Sequence, residues 1–258
     1  MKSNLAVLGT GWLGMAAAHH LSPDYSVRGS YRRTGSRDEL VACGVSPYYI
    51  DLPTQTEALA DFLRDLAYLI VAIPPGGRTH GADTVAHYLH LLAPLRPYLP
   101  GLHLIYTSST GVYGKSTTGT ITESSPVAPD THSSRAVVAA ETFFREHAGR
   151  YSILRLGGLY GPDRDPIRFF RRVPVIPDGD APVNMVSRQA VLEALRVTIK
   201  TEATGIFNVC SANHPPKRDF YGNLYAAANL PAKEFLPGGA DGKRIDSSKF
   251  RQLGWLSP

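Results

Sequence analysis

Short apolar runs alternate with amphipathic stretches along the first 156 residues of the chain. The apolar runs predict strands at residues 5–8, 25–31, 46–50, 68–73, 102–107 and 151–156. Between them, apolar residues recur at helical spacing and predict helices at 11–21, 38–43, 59–66, 82–92 and 133–148. This alternation is typical of a parallel sheet that is covered by helices on both faces.

The pattern changes after Gly157, where prolines interrupt the chain repeatedly. Beyond this irregular stretch, the sequence predicts a helix at 187–200, a strand at 206–209 and a helix at 217–229. We therefore expect two parts, residues 1–157 and residues 158–258, of which the second is a smaller lobe. The elements near 187–209 also fit a return to the first sheet, and this alternative stays open.

A glycine motif follows the first predicted strand and opens the first predicted helix. The segment Gly9-Thr10-Gly11-Trp12-Leu13-Gly14 matches GxGxxG in the context that this motif requires. Gly9 allows the tight turn, Gly11 lets the backbone approach a diphosphate, and Gly14 allows close packing of helix and sheet. A glycine-rich turn without a ligand fits this context less well. The sequence thus predicts a Rossmann-type doubly wound parallel sheet, in an α/β fold with a small C-terminal substrate lobe.

The end of the second strand bears on the choice of cofactor. Sites that prefer NAD place an acidic residue there, whereas Arg32 and Arg33 stand at this position. Their guanidinium groups suit a 2′-phosphate, through charge and bidentate hydrogen bonding. We therefore expect NADP(H), with NAD as the alternative cofactor. A solvated basic loop is the alternative interpretation of the two arginines.

Two further segments are expected along the dinucleotide. Asp51 and Leu52 follow the third strand and are placed to meet the adenine, although a helix cap or turn explains Asp51 nearly as well. Ile73, Pro74 and Pro75 follow the fourth strand, at the sheet edge where α/β proteins bind their ligands. A rigid turn is the alternative for this segment.

Composition and charge narrow the partners. The formal net charge is +5, but the basic residues are dispersed, which does not favour a nucleic-acid partner. The two cysteines are far apart and have no metal-ligand spacing, so we expect no metal. No apolar run reaches the ~20 residues that span a bilayer, and the first residues do not resemble a signal peptide. We therefore expect a cytoplasmic protein without a membrane partner.

Six segments resemble, in order, the signatures of the extended short-chain dehydrogenases/reductases, the NAD-dependent epimerase/dehydratase family. They lie at residues 107–114, 122–126, 154–162, 205–209, 243–246 and 253–255. In that family, a Ser or Thr at the end of the fifth strand polarises a substrate oxygen, and a Tyr-x-x-x-Lys pair acts as acid and base. Ser109 matches the first element. Alignment on Glu141 puts Ser133 and Val137 where the pair belongs, so the chain looks like an atypical member, similar to the YeeZ-like group that also lacks the pair.

The missing pair directs attention to other titratable groups near Ser109. Tyr113 and His132 are the candidates for proton transfer, since one is a phenol close in sequence and the other is a histidine, a residue type that often acts as a general acid or base. The alternatives to a role in proton transfer are that Tyr113 is a packed loop residue and that His132 is an exposed histidine at the start of a helix. Residues expected to contact a substrate are Ser109, Thr110, Tyr160, Arg168 and Asn184. Arg168 and Arg172, one helical turn apart, would favour an anionic substrate if they face the cleft.

The resemblance implies an oxidoreductase or epimerase/dehydratase that acts on a small polar or anionic molecule. The alternative is a binding protein that senses the dinucleotide without chemistry, because the acid–base pair is missing. Many proteins of this fold dimerise through helices beside the cleft, so the resemblance also allows a homodimer.

Overall fold

The computed structural model describes residues 2–256, which contain thirteen strands and nine α-helices. The strands are β1 (Asn4–Leu8), β2 (Ser26–Tyr31), β3 (Ser46–Tyr49), β4 (Tyr68–Val71), β5 (His103–Ser109), β6 (Thr120–Ile121), β7 (Arg150–Leu156), β8 (Gly158–Tyr160), β9 (Val175–Ile176), β10 (Met185–Ser187), β11 (Gly205–Val209), β12 (Glu234–Phe235) and β13 (Arg244–Ile245). The helices are α1 (Trp12–Leu21), α2 (Thr34–Ala42), α3 (Leu59–Phe62), α4 (Gly77–His80), α5 (Thr84–Leu92), α6 (His132–His147), α7 (Arg188–Thr201), α8 (Lys217–Ala227) and α9 (Ser248–Arg251).

The central sheet has seven strands in the order β11-β7-β5-β4-β1-β2-β3, and every neighbouring pair is parallel. The chain leaves β1 towards β2 and β3, and then returns to the other side of β1 with β4. This reversal of strand order is the topological switch point, and the carboxyl ends of β1 and β4 border the crevice there. The predicted α/β fold class with a Rossmann-type sheet is confirmed.

The sheet is buried on both faces, as the unbroken apolar run of β1 predicts. Leu5 and Val7 point into a core layer shared with α1 and α7, whereas Ala6 and Leu8 point into a layer shared with α5 and α6. Successive residues of a strand face opposite sides, so an all-apolar strand fits only a sheet that is covered twice.

Three short strand pairs lie outside the central sheet: β8 with β10, β9 with β12, and β6 with β13. Val183, Met185 and Tyr221 form a small separate core in this part of the chain. Strand β11 lies at the edge of the central sheet, next to β7. The predicted division at residue 157 stays a prediction, with β11 as the element that crosses it.

Several predicted boundaries were wrong. Helix α2 begins at Thr34 rather than at 38, and its first turn contains Gly35 and Ser36, whose weak helix propensity concealed that start in the sequence. Helix α3 ends at Phe62, and the chain then turns through Asp65, whose φ is 52°. The helix predicted at 82–92 begins at Thr84, after a 3₁₀ turn at Gly81–Asp83.

The arginine-rich segment also differs from its prediction. Only a 3₁₀ turn forms there, at Pro166–Phe169, so no helix face carries both Arg168 and Arg172. Pro166 begins this turn, and the chain leaves it at Phe170, so the one-turn spacing of the arginines does not align them.

Candidate functional site

A pocket of about 260 Å³ lies at the switch point of the sheet. Its walls come from the turn after β1, the end of β2, the segment after β3 and the segment after β4. The lining residues are Leu8, Gly9, Thr10, Gly11, Ser30, Tyr31, Arg32, Arg33, Ser36, Ile50, Asp51, Leu52, Ala72, Ile73, Pro74 and Leu91. The structure therefore brings together residues from all four segments that the sequence singled out for the dinucleotide.

The glycine turn is shaped by close backbone contacts. A Cβ on Gly14 would lie 2.1 Å from the carbonyl oxygen of Gly9, and a Cβ on Gly9, whose φ is +97°, would lie 2.9 Å from Ile73. A Cβ on Gly11 would meet no atom within 4 Å, so the space beside this residue is open. The backbone here can therefore approach a ligand closely, while helix α1 stays tightly packed on the sheet.

Ser30 holds the glycine turn in place and was missed by the sequence reasoning. Its hydroxyl accepts a hydrogen bond of 2.8 Å from the amide of Gly9, and its carbonyl accepts one of 2.5 Å from the hydroxyl of Thr10. The contact depends on the β1–β2 register, which pairs Val7 with Gly29. No local sequence signal carries that information.

The guanidinium groups of Arg32 and Arg33 and the hydroxyl group of Ser36 lie at the outer end of the pocket. Arg32, whose side chain is largely exposed, donates a hydrogen bond of 3.2 Å to the carboxylate of the half-buried Asp51. Arg33 is the N-cap residue of α2, whose first turn contains Ser36 and no acidic residue. Ser36 was also missed, because the helix was predicted to begin after it. A helix start with a guanidinium and a hydroxyl group is suited to bind a phosphate.

Four of the predicted cofactor residues do not line the pocket. Leu13 is buried in the core below α1, and Gly14 packs on the turn. The indole of Trp12 points away, and its Nε1 donates a hydrogen bond of 2.7 Å to the carbonyl of Pro162. Pro75 is half-buried beside the pocket-lining Pro74.

Ser109 ends β5 and is half-buried, and its hydroxyl accepts a hydrogen bond of 3.0 Å from the amide of Gly111. Ser133 occupies the position that the resemblance gives to the tyrosine of the pair. The start of α4 packs directly on Ser133, since a Cβ on Gly77 would lie 2.2 Å from the hydroxyl oxygen of Ser133. Val137, at the lysine position, is buried. Neither position carries a group that exchanges protons near neutral pH.

The two candidates for proton transfer lie in contrasting surroundings. Tyr113 is fully buried; its hydroxyl donates to Oδ1 of Asn208 at 2.7 Å and accepts from Nη1 of Arg155 at 2.9 Å. Burial raises the pKa of Tyr113, although Arg155 opposes that change. In this position Tyr113 contacts no open space, so its role is structural. His132, the first residue of α6, is exposed to solvent.

A buried ion pair ties α6 to the sheet beneath Ser109. Arg155 donates hydrogen bonds of 3.0 and 2.7 Å to the two carboxylate oxygens of Glu141, which also accepts one of 2.5 Å from Ser108. Burial alone would lower the pKa of Arg155, but the hydrogen bonds and charge of Glu141 outweigh it and raise the pKa. Tyr113, Arg155 and Asn208 lie in segments that carry the family resemblance, and Glu141 is the residue on which α6 is aligned with the family. The structure joins the four side chains in one hydrogen-bond network.

The predicted substrate residues are divided among several places. Tyr160 and Arg168 line a second, open pocket of about 580 Å³ beside the first residues after β8. Thr110 is buried. The side chain of Asn184 is hydrogen-bonded to the backbone. Its Oδ1 accepts a hydrogen bond from the amide of Ile245, and its Nδ2 donates one to the carbonyl of Lys243, both at 2.8 Å. Asn184 therefore positions the C-terminal segment.

Two other kinds of feature have no counterpart among residues 2–256, the part of the chain that the structure describes. No helix in this part of the chain is long and apolar enough to cross a membrane. The same residues contain no group of three or more His, Cys, Asp or Glu side chains that could hold a metal ion.

Comparison with known proteins extends these observations. The sequence model of the NAD dependent epimerase/dehydratase family matches residues 6–175. Protein YeeZ of Escherichia coli K12 is 32% identical, over 97% of this chain and 94% of YeeZ.

Solved structures share the fold. UDP-glucuronic acid 4-epimerase from Bacillus cereus, in complex with NAD, superposes with a TM-score of 0.78 at 19% identity, over 99% of this chain and 92% of that one. UDP-glucose 4-epimerase from Thermotoga maritima, with UDP-glucose, gives a TM-score of 0.76 at 21% identity, over 98% and 93% of the two chains. At these identities the likeness establishes the architecture alone.

Proposed function

The chain belongs to the NAD-dependent epimerase/dehydratase family, and from this premise we propose that it binds NADP(H) and acts as an oxidoreductase or epimerase/dehydratase on a small polar or anionic molecule. The observation that carries the proposal is the pocket at the switch point of the sheet, where the glycine turn, Arg32, Arg33 and Ser36 meet. Open α/β sheets bind their ligands at this place.

The glycine turn fits the diphosphate of a dinucleotide. The space beside Gly11 is open, and the first turn of α1 has neither an acidic residue nor a side-chain cap. Its amide groups are therefore available to an anion, and the helix dipole favours negative charge there. Asp51, Leu52 and Ile73, together with Pro74 and the neighbouring Pro75, would contact the adenosine half. Trp12, Leu13 and Gly14 would support the turn from behind.

The proposed preference for NADP(H) rests on the outer end of the pocket. Arg33 and Ser36 stand at the start of α2, and the nearby carboxylate of Asp51 is partly neutralised by Arg32. A phosphate on the ribose would gain charge-assisted hydrogen bonds from these groups, whereas a free 2′-hydroxyl would not. Isothermal titration of NADPH and NADH measures the difference directly.

Substitution of the arginines tests this preference. Arg33→Ser is expected to weaken NADPH binding about tenfold or more, since a charge-assisted hydrogen bond contributes about 1.5–3 kcal/mol. NADH affinity should stay unchanged. Arg37→Ser is the matched control, because Arg37 is exposed, pairs with Asp38 and does not line the pocket. Equal losses for both cofactors, or none for either, would argue against selection by Arg33.

Ser109 is the residue proposed to contact the reacting group. Its hydroxyl stands at the end of β5 and already accepts one hydrogen bond, so its proton remains free to be donated to a substrate oxygen. Bound nicotinamide would supply hydride transfer. His132 is proposed to exchange the proton, directly or through water, because it is exposed at the start of α6. Tyr160 and Arg168, in the second pocket, are proposed to contact the substrate.

The catalytic proposal is tested by assaying NADPH oxidation against panels of carbonyl, imine and sugar-nucleotide compounds. Ser109→Ala is expected to lose most of the activity and to keep the affinity for NADPH. Ser116→Ala is the control, since Ser116 is exposed. No turnover across the panel, in the presence of normal NADPH binding, would contradict the enzyme.

A second function is favoured by one feature: Ser133 and Val137 stand where the family resemblance places the acid–base pair. On this alternative the protein is a non-catalytic dinucleotide sensor. It would bind NADPH without consuming it, and reproducible hydride transfer would exclude it. A homodimer stays a prediction, to be measured by sedimentation with and without NADPH.

A further inference from the structure

A cavity of about 250 Å³ lies at the amino edge of the central sheet, away from the carboxyl edge that holds the dinucleotide pocket. Its polar walls are Tyr68, His103, Arg150 and Glu202, and we call it the amino-edge cavity. Tyr68, His103 and Arg150 are the first residues of β4, β5 and β7. The sheet register pairs Tyr68 with His103, and His103 with Arg150. The three residues therefore form one row across the sheet, with their side chains on the same face.

The hydrogen bonds of His103 fix which ring nitrogen carries the proton. The hydroxyl of Ser152 donates to the carbonyl of Ala203, so it accepts a hydrogen bond of 2.7 Å from Nε2 of His103. Nδ1 is then the acceptor of the ring, and it is buried without a hydrogen-bond partner among residues 2–256. Burial and the charge of Arg150 lower the pKa of His103, so the ring is neutral near pH 7. A buried acceptor without a donor is costly, and a donor group supplied from the cavity would remove that cost.

Glu202 reaches the cavity from a strained backbone position. It follows α7 with a φ of 49°, in the left-handed conformation that favours glycine at the end of a helix. Strained non-glycine residues of this kind concentrate at functional sites. The carboxylate of Glu202 lies 3.3 Å from Arg150, and together with burial it raises the pKa of Tyr68. The strained residue thus adds a carboxylate to a wall that already holds a guanidinium and a phenol.

The ion pair of Arg150 with Glu202 provides two opposite charges that a ligand can reach. The side chains are 49% and 60% exposed, and a pair so open to solvent contributes little to stability. A ligand with both a carboxylate and an ammonium group can replace the pair and leave each charge compensated. An ammonium group has three donors, so it can serve Nδ1 of His103 as well as Glu202. A ligand with a single charge would leave one wall residue without its partner.

The rest of the cavity sets the size and polarity of the ligand. Leu66, Pro100 and Leu102 form an apolar part of the wall. The volume lies below the range of about 300–1,000 Å³ that is typical of pockets for drug-sized molecules. The cavity therefore suits a small molecule with two opposite charges and a short apolar group.

We propose that the amino-edge cavity binds a free α-amino acid with an apolar side chain. Its carboxylate pairs with Arg150, and its ammonium group pairs with Glu202 and donates a hydrogen bond to Nδ1 of His103. No residue lines both this cavity and the dinucleotide pocket, so the site is separate from the proposed function and is tested without NADPH.

The need for two charges is tested by calorimetric titration of the wild-type chain with L-leucine and L-valine. Each amino acid is compared with its amine, which lacks the carboxylate, and with its acid, which lacks the ammonium group; for leucine these are 3-methylbutylamine and 4-methylpentanoate. We expect an amino acid to bind, and its amine and acid to bind at least about tenfold more weakly. Absence of binding by both amino acids overturns the proposal, and so does an amine or acid that binds as tightly as its amino acid.

Three variants test the wall residues. Arg150→Met, Glu202→Gly and His103→Phe are each expected to weaken the amino acid about tenfold or more. Arg64→Met is the matched control for Arg150→Met, because Arg64 is an exposed arginine that pairs with Asp61 and does not line the cavity. Its affinity should equal that of the wild type.

Thermal unfolding separates loss of the site from loss of the fold. Glu202→Gly should unfold at or above the wild-type temperature, because glycine adopts the left-handed conformation without strain. Weakened binding by this stable variant therefore reports on the carboxylate itself and supports the proposal. Wild-type affinity in Arg150→Met or in Glu202→Gly overturns the two-charge arrangement, and wild-type affinity in His103→Phe overturns the contact with Nδ1.

Discussion

Replacement of Arg155 by methionine would leave the carboxylate of Glu141 buried without its counter-ion. Both side chains are 5% exposed, and Arg155 donates two hydrogen bonds to Glu141 and a third to Tyr113. Methionine keeps much of the aliphatic stem, so the loss of packing is small beside the loss of charge pairing. Removing one partner of a buried pair costs about 3–5 kcal/mol, because the remaining charge is uncompensated.

The cost is measured by thermal unfolding. For a chain of this length, each kcal/mol lowers the midpoint by roughly 2–4 °C, so Arg155→Met should unfold about 6–20 °C below wild type. Glu146→Gln is the control, since Glu146 is exposed on α6, the helix that carries Glu141. This substitution should change the free energy of unfolding by no more than about 0.5 kcal/mol.

A double variant separates the buried charge from the missing contacts. Glu141→Leu combined with Arg155→Met replaces the pair by apolar groups, and it should recover at least half of the loss. Recovery is incomplete because Ser108 loses the acceptor of its hydrogen bond. A single variant within about 2 °C of wild type, or a double variant less stable than the single one, would refute the reasoning.

Three further outcomes are expected. Gly14→Ala should abolish NADPH binding measured by titration and lower the midpoint of thermal unfolding, because its Cβ would lie 2.1 Å from a backbone oxygen. Gly35→Ala is the control for both measurements, since a Cβ there meets nothing within 4 Å. Burial raises the pKa of Cys210 to about 12, so Ellman's reagent at pH 8 should react with at most the half-buried Cys43 in the native protein and with both thiols after unfolding. Burial lowers the pKa of His103 in the folded protein below the 6.5 of the unfolded chain. Protonation therefore favours unfolding as the pH falls through and below 6.5. Between about pH 7.5 and 5.5, the melting midpoint of His103→Gln should decline less than that of the wild type.

The parts of the site that are fixed by local sterics could be predicted from the sequence. The turn after β1 needs glycine at Gly9 and Gly14 for reasons that are visible in the spacing, and the crowding around both residues is what that spacing predicts. Ile73 and Pro74 were placed at the pocket because the end of a parallel strand identifies the edge of the sheet.

The parts that depend on distant pairing could not be predicted. Ser30 supports the glycine turn only because β1 and β2 are in a particular register. Ser36 was missed because the weak helix propensity of Gly35 and Ser36 concealed the first turn of α2, which the sequence placed outside the helix. Asn184 and Tyr113 have the chemistry of site residues, and only their hydrogen-bond partners show that they are structural.

Helix α6 has two anchors that lie away from residues 133 and 137, the positions that the family resemblance gives to the acid–base pair. Ser133 and Val137 stand two turns and one turn before Glu141, so all three lie on one face of the helix. The ion pair of Glu141 with Arg155 and the capping box at the start of the helix involve neither Ser133 nor Val137, although Val137 also packs in the core. We therefore expect substitution of the half-buried Ser133 to leave both anchors of α6 in place. The other family motifs of the chain therefore support the scaffold of the site. Catalysis would depend on Ser109 and on the groups that face the cleft.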